Sequence, residues 1–195
     1  MGRFSAGWND LTEDERTAWR QAARQLWTRG RKGKRRRLRG QELYVKINTV
    51  LVLCGYEARR LPPPPTTFGR NPVEALEITN RAGRVVLKLV LREAPVKDLM
   101  VFGSWPRKPG QGSCSSGFSF LGLLRASEVW ERDITKLYLT KLKEWRKLPD
   151  KEYQLPLKGS RVFIRVWQQE NGWDDKPLMQ ALNCLVPKRG DRGGG

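Results

Sequence analysis

The 195-residue sequence contains no histidine. Histidine is the commonest general base, the usual partner of serine and cysteine nucleophiles, and a frequent zinc and iron ligand. Most hydrolase mechanisms are therefore excluded for this chain. The sequence also lacks a Cys-x-x-Cys pair, which excludes the usual structural zinc site. We expect a protein that is not an enzyme and that uses neither a metal nor a cofactor.

Cysteine and long apolar segments are also scarce. The three cysteines are odd in number and widely spaced, which suits free thiols in a reducing compartment. No segment approaches the roughly 18 consecutive apolar residues of a membrane span, and the first residues contain no apolar signal region. We therefore expect a cytoplasmic protein that does not contact a membrane.

Positive charge, in contrast, is in large excess. The chain has 38 Lys and Arg against 20 Asp and Glu, which gives a net charge of +18. Residues 1–60 contain 15 of the basic and 6 of the acidic side chains, so this part carries about twice as much charge per residue as the rest. An excess of this size indicates a polyanionic partner.

A dense run of cations between residues 29 and 39 is the clearest functional signal. Like charges this close repel each other, so the run has little reason to fold alone, whereas phosphates neutralise it and release counterions. We expect it to bind nucleic acid, DNA or RNA, mainly through the phosphate backbone. The alternative is a solvated loop that aids solubility. The cations are Arg29, Arg31, Lys32, Lys34, Arg35, Arg36, Arg37 and Arg39.

A helix is predicted just before this run. Thr12 followed by Glu15 has the spacing of a capping box, which marks a helix start. One face of this helix is apolar and is expected to pack in the core, as are all three tryptophans Trp8, Trp19 and Trp27. The apolar face comprises Trp19, Ala22, Ala23, Leu26 and Trp27. Another face carries a ridge of arginines that is expected to join the run in binding: Arg16, Arg20 and Arg24.

A second helix is predicted between Gly40 and Gly55, with an apolar face formed by Leu43, Ile47, Val50, Leu51 and Cys54. The β-branched residues between Val45 and Val52 leave a strand as the alternative. Four consecutive prolines then form a stiff segment at 61–67, which we interpret as a linker. Residues 1–60 are therefore expected to be a basic helical region.

Beyond the prolines the apolar residues recur with a period of two, which predicts strands. The strand candidates are 74–79, 85–91, 98–103, 118–124, 133–138, 161–169 and 177–186. Asn171-Gly172 is a turn signal between the last two, and residues 138–148 are a candidate helix. The sequence therefore predicts an α+β protein in which residues 68–187 form an antiparallel β-sandwich. Residues 188–195 are expected to be a disordered tail.

The strand Gly83-Arg-Val-Val-Leu-Lys-Leu, the segment Asp133-Ile-Thr and the strand Gly159-Ser-Arg-Val-Phe-Ile-Arg-Val-Trp167 resemble those of a fibronectin type III or immunoglobulin-like module. The penultimate strand of such modules usually contains a tyrosine, and Phe163 stands there in this chain. The resemblance covers about 115 residues and implies a binding scaffold.

Two weaker likenesses concern the first half and the whole chain. Trp8-Asn-Asp-Leu, then Glu15-Arg, Trp19 and Ala23, is similar to the last part of a high-mobility-group box over about 25 residues. The order of a tryptophan-rich helix, the segment Leu38-Arg-Gly-Gln-Glu-Leu-Tyr, a proline linker and a sandwich is also similar to bacterial two-part proteins. This second likeness implies an architecture and no activity.

Aromatic residues beside cations in the second half suggest another surface. Trp105 and Trp173 fall in predicted loops, and Trp167 shares a strand face with Arg165. Exposed aromatics of this kind stack on bases or bury a protein partner. The predicted partner-binding residues are Trp105, Arg165, Trp167 and Trp173.

The sequence therefore favours a non-enzymatic protein in which a basic helical arm binds nucleic acid and a sandwich binds a partner. The competing hypothesis is a structural or assembly protein, a subunit of a particle or filament. Its sandwich would mediate protein contacts or self-assembly, and its arm would anchor to an acidic neighbour.

Overall fold

The computed structural model describes residues 7–29, 34–81, 84–114, 116–127, 131–146, 159–175 and 182–185. The chain divides into two compact units. The first consists of Met1–Thr67 with Glu170–Asp174, and the second of Phe68–Gln169 with Asp175–Gly195. The described residues form an α+β protein with antiparallel sheets. The predicted tail at 188–195 lies outside them.

The first unit contains helix α1 (Glu13–Ala23), strands β1 (Trp27–Arg29) and β2 (Arg35–Arg37), and helix α2 (Gly40–Leu53). The predicted capping box starts α1. The Thr12 hydroxyl accepts the Glu15 amide at 3.3 Å, and the Glu15 carboxylate accepts the Thr12 amide at 2.7 Å. The segment between Gly40 and Gly55 is a helix, as predicted, and Gly55 follows it with φ of 79°.

The two helices bury their apolar faces in the core of the first unit. Trp19 is fully buried, and its indole N–H donates to the Arg60 carbonyl at 2.6 Å. The ring also contacts Tyr44 edge to face at 5.4 Å. The predicted apolar face of α2 is confirmed, because its members Leu43, Ile47, Val50, Leu51 and Cys54 are all buried.

The chain after α2 has no helix or strand between residues 56 and 67, but it is held to the helices of the first unit. The amide side chain of the buried Asn48 donates to the Arg59 carbonyl at 3.0 Å and accepts the Arg59 amide at 2.6 Å. The guanidinium of Arg60 binds both carboxylate oxygens of Glu15, at 2.6 and 2.8 Å. Pro63 of the predicted linker is buried.

The second unit contains two antiparallel sheets. One has the order β3 (Val73–Arg81), β4 (Arg84–Leu91), β7 (Glu131–Asp133). The other has β5 (Asp98–Ser104) between β6 (Phe118–Leu124) and β8 (Arg161–Glu170), and β10 (Leu182–Leu185) beyond β8. After β8 the predicted turn occurs at Asn171-Gly172, both with positive φ, but it leads into β9 (Trp173–Asp174) of the first unit. Of the strand predicted at 177–186, the structure describes Leu182–Leu185 as β10.

A single apolar cluster draws on both sheets and on helix α3 (Thr135–Arg146). The strand predicted at 133–138 is wrong, because β7 ends at Asp133 and α3 begins two residues later. The four-residue spacing of the buried Ile134, Tyr138 and Leu142 is helical. The Tyr138 hydroxyl donates to the Ser104 carbonyl at 3.0 Å, and burial raises the pKa of this phenol.

None of the helices in the described ranges is long and apolar enough to cross a membrane.

Candidate nucleic-acid interface

The cationic run contains a small antiparallel ribbon, which the sequence did not predict. Strands β1 and β2 pair Trp27 with Arg37, Thr28 with Arg36 and Arg29 with Arg35. Residues directly opposite each other in such a pair point to the same face, and successive residues alternate. Trp27, Arg35 and Arg37 therefore share one face, which we call the outer face, and Thr28 and Arg36 share the other.

The other face is tied to the start of α2. The Arg36 guanidinium makes two hydrogen bonds to the Glu42 carboxylate, at 2.8 and 2.6 Å. Glu42 also accepts the Arg39 amide at 2.9 Å, in the third position of the helix. The hydrogen bonds from Arg36, and then that from the Arg39 amide, hold the pKa of Glu42 at about 2. This ion pair orders a segment that charge repulsion would otherwise keep open.

The outer face presents one aromatic ring between two cations. Trp27 is 54% exposed, and the guanidinium carbons of Arg35 and Arg37 lie 5.4 and 5.7 Å from its ring centroid. Both distances are within the range of a cation–π contact. No carboxylate among the described residues forms an ion pair with either arginine. Two exposed guanidinium groups therefore remain available to an external anion.

Trp27 was predicted to pack in the core, and this prediction is wrong. Helix α1 ends at Ala23, and the chain enters β1 at Trp27 with a new direction. Trp27 therefore does not continue the apolar helix face that contains Trp19, although its spacing in the sequence is helical. Trp8 is half-buried and contacts Tyr44 at 5.7 Å, whereas Trp19 alone of the three is fully buried.

The predicted arginine ridge on α1 is largely engaged within the first unit. Arg16 donates to the carbonyls of Trp8 and Asn9, at 3.2 and 2.7 Å. Arg20 forms an ion pair with Glu13, which also lies 3.6 Å from Arg16. These contacts stabilise the helix start, and Arg20 and Arg24 are the exposed members of the ridge.

The remaining predicted cations divide into two groups. Lys34 and Arg39 are exposed on either side of β2. Arg31 and Lys32 lie outside the described residues, and so does the side chain of Arg29. The backbone register pairs Arg29 with Arg35.

The four predicted partner-binding residues are divided between the two units. Trp173 belongs to the first unit and is only 8% exposed, so its prediction as an exposed loop residue is wrong. Trp105 packs partly buried against the core cluster and contacts Trp145 at 5.7 Å. Both lie in segments whose apolar neighbours are distant in sequence, which a local pattern does not reveal.

Arg165 and Trp167 do share a strand face, but both are half-buried. The Trp167 ring lies 4.1 Å from that of Phe102, and the Arg165 guanidinium lies 4.1 Å from the Phe118 ring. Arg165 also donates to the Cys114 carbonyl at 3.2 Å. The pair is therefore part of an aromatic layer on β5, β6 and β8.

The described part of the chain contains no cluster of three or more Cys, Asp and Glu side chains arranged to hold a metal ion. The ribbon itself had a weak signal in the sequence, since two glycines at 30 and 33 separate the short segments Trp27-Thr-Arg and Arg35-Arg-Arg. Comparisons with known protein families, with curated proteins and with solved structures find no match to this chain.

Proposed function

We propose that this protein binds nucleic acid and that the outer face of the β1–β2 ribbon contacts the phosphate backbone. The proposal rests on one observation: three consecutive arginines differ in whether a carboxylate neutralises them. Arg36 is neutralised by Glu42, whereas Arg35 and Arg37 are exposed and have no carboxylate partner among the described residues. A phosphate that binds them releases counterions, which favours association.

The charge around the ribbon supports this proposal. Residues 1–60 have a net charge of +9, and Arg24, Lys34 and Arg39 add exposed cations to those of the outer face. Such a field attracts a polyanion before contact and increases the association rate. Contacts to phosphates carry no sequence information, so binding through this surface is expected to be nonspecific.

For the second unit, we propose a β-sandwich of the fibronectin type III kind that binds a protein partner. Two antiparallel sheets of three and four main strands share one apolar cluster, which is the arrangement expected of such a sandwich. The half-buried layer that contains Arg165 and Trp167 is the candidate contact surface. Within this proposal the chain is not an enzyme, and its sequence contains no histidine, the commonest general base.

The proposal is tested by the salt dependence of binding to an oligonucleotide. If about six cations reach phosphates, the logarithm of the binding constant should fall with the logarithm of salt concentration with a slope of about −4 to −5. Replacing both Arg35 and Arg37 with Gln should reduce the steepness by about 1.4 to 1.8, because two phosphate contacts are lost.

Arg36→Gln is the matched control. It is compared with Arg35→Gln and Arg37→Gln, each of which also removes one charge from the same strand. Arg36 lies on the face that Glu42 neutralises, so Arg36→Gln should change the slope of the folded protein less than either of them. Equal effects of the three substitutions would contradict the proposed face. A wild-type slope shallower than about −2 would reject nucleic acid as the partner and favour the acidic protein of the assembly hypothesis.

A further inference from the structure

We propose that Trp27 stacks on an unpaired base, so that the ribbon is a site for single-stranded nucleic acid. This inference rests on the proposed function and adds the class of nucleic acid that the site prefers. The exposure of the Trp27 side chain is unusual for a tryptophan of this protein. Of the seven tryptophans that the structure describes, Trp27 alone is exposed, and the others are buried or half-buried.

The position of Trp27 favours a ligand with both an aromatic face and a negative charge. The indole ring is 54% exposed on the same face as two guanidinium groups within 6 Å of it. An apolar protein groove would cover the ring only by also removing water from Arg35 and Arg37, which is unfavourable without an acid to pair with them. A nucleotide satisfies both requirements, because its base stacks and its phosphate binds the cation.

Single-stranded nucleic acid fits this surface better than a duplex. In a duplex the flat faces of the bases are covered by their neighbours, and only the base edges are accessible in the grooves. A tryptophan ring offers no hydrogen-bond acceptor to those edges and a single donor. In a single strand every base presents a free face, and stacking on an aromatic side chain is tolerant of sequence.

The ribbon also holds the ring in place before a ligand arrives. Trp27 lies directly opposite Arg37 and diagonally across from Arg35, and the opposite face of the ribbon is fixed to α2 by the Arg36–Glu42 ion pair. The side chain therefore has a defined position on a defined strand. A site arranged in advance loses less conformational entropy on binding.

The experiment measures dissociation constants by fluorescence anisotropy with three labelled probes: an oligothymidylate and an oligouridylate of about 12 nucleotides, and a DNA duplex of about 12 base pairs. Trp27→Ala should weaken binding to the two single strands by about 5- to 100-fold, which is the range expected for one lost stacking contact. Binding to the duplex should change by less than about 2-fold.

Two further variants distinguish stacking from a general disturbance. Trp27→Phe keeps an aromatic face and should recover most of the lost affinity. Tyr56→Ala removes another exposed aromatic side chain of the first unit, beyond the end of α2, and should leave all three dissociation constants unchanged.

The outcomes separate this inference from the function on which it rests. If the wild-type chain binds none of the probes with a steep salt dependence, the proposed function itself is wrong. If it binds them all with the expected slope while Trp27→Ala leaves the single strands unaffected, or weakens the duplex equally, only the stacking proposal is overturned.

Discussion

Glu15 links the start of α1 to the chain that follows α2. Its carboxylate accepts hydrogen bonds from the Arg60 guanidinium and from the Thr12 amide at the start of α1. The Arg60 hydrogen bonds, and then the Thr12 amide, lower the pKa of Glu15 from its ordinary value of 4.5 to about 2. The folded state therefore binds a proton at this site less readily than the unfolded chain.

This difference predicts how acid affects stability. Since the folded pKa is depressed, Glu15 stabilises the fold fully above about pH 4.5, and this contribution is lost as the pH falls towards about 2. Thermal unfolding midpoints measured across this window should fall less steeply for Glu15→Gln than for the wild type. Glu42, whose pKa is also about 2, accounts for part of the pH dependence of the midpoint that remains in Glu15→Gln. A Glu15→Gln curve parallel to that of the wild type would contradict the assignment.

At the scale of single residues, the sequence predicts burial where helical spacing continues and fails where the helix ends. Trp19 and the apolar face of α2 are buried as predicted, because each lies within one helix whose period fixes its direction. Trp27 and Trp173 were assigned to the wrong environments. Each follows a change of chain direction, which a local period does not record. The sequence identified Arg35, Arg36 and Arg37 as members of a cationic run. It did not predict that they lie on a strand, where Arg35 and Arg37 share one face and Arg36 lies on the other.

The contact between α1 and α2 depends on a close approach of two backbones. A Cβ atom at Gly40 would lie 2.8 Å from the Arg20 amide nitrogen and 2.9 Å from the Arg20 Cα. Such distances require the helices to separate, since backbone atoms do not rotate away as a flexible side chain does. The first residue of α2 is therefore restricted to glycine by packing.

We predict that Gly40→Ala destabilises the protein by about 1 to 3 kcal/mol, the usual cost of overpacking, although alanine is the better helix former. Urea unfolding monitored by tryptophan fluorescence measures the change. Gln41→Ala, at the exposed neighbouring position, should stay within about 0.5 kcal/mol of the wild type. A Gly40→Ala protein as stable as this control would show that the helices tolerate a wider separation.

Elements stabilised by local interactions were predictable, and those stabilised by distant ones were not. The capping box of α1 and the glycines around α2 mark their helices from within about four residues. The ribbon instead depends on the Arg36–Glu42 pair and on a hydrogen bond from the Leu38 amide to the Leu26 carbonyl at 2.9 Å. Arginine-rich segments of three residues give no strand pattern of their own. The start of α3 was missed because Ile134 and Thr135 also favour a strand.

At the scale of the whole molecule, the period-two patterns were sufficient to predict antiparallel sheets after the prolines. They did not predict that Glu170–Asp174, at the end of β8, belongs to the first unit. Asn171 receives a hydrogen bond from Arg59 at 3.0 Å, and Asp174 lies 3.4 Å from Lys46. A Cβ at Gly172 would come within 2.6 Å of Ile47. The turn was recognisable from Asn-Gly, but its partners on α2 were not.

This division predicts the behaviour of a fragment that contains residues 68–187. The apolar cluster of the second unit uses residues of that unit alone, so the fragment should fold into a β-rich domain by circular dichroism. Its turn at 170–174 loses the contacts with Ile47 and Lys46. The fragment lacks the ribbon, so its affinity for an oligonucleotide should be weaker than that of the full chain by at least about 10-fold. An unfolded fragment would mean that the two units fold as one, and a fragment that binds as tightly as the full chain would move the nucleic-acid site out of residues 1–67.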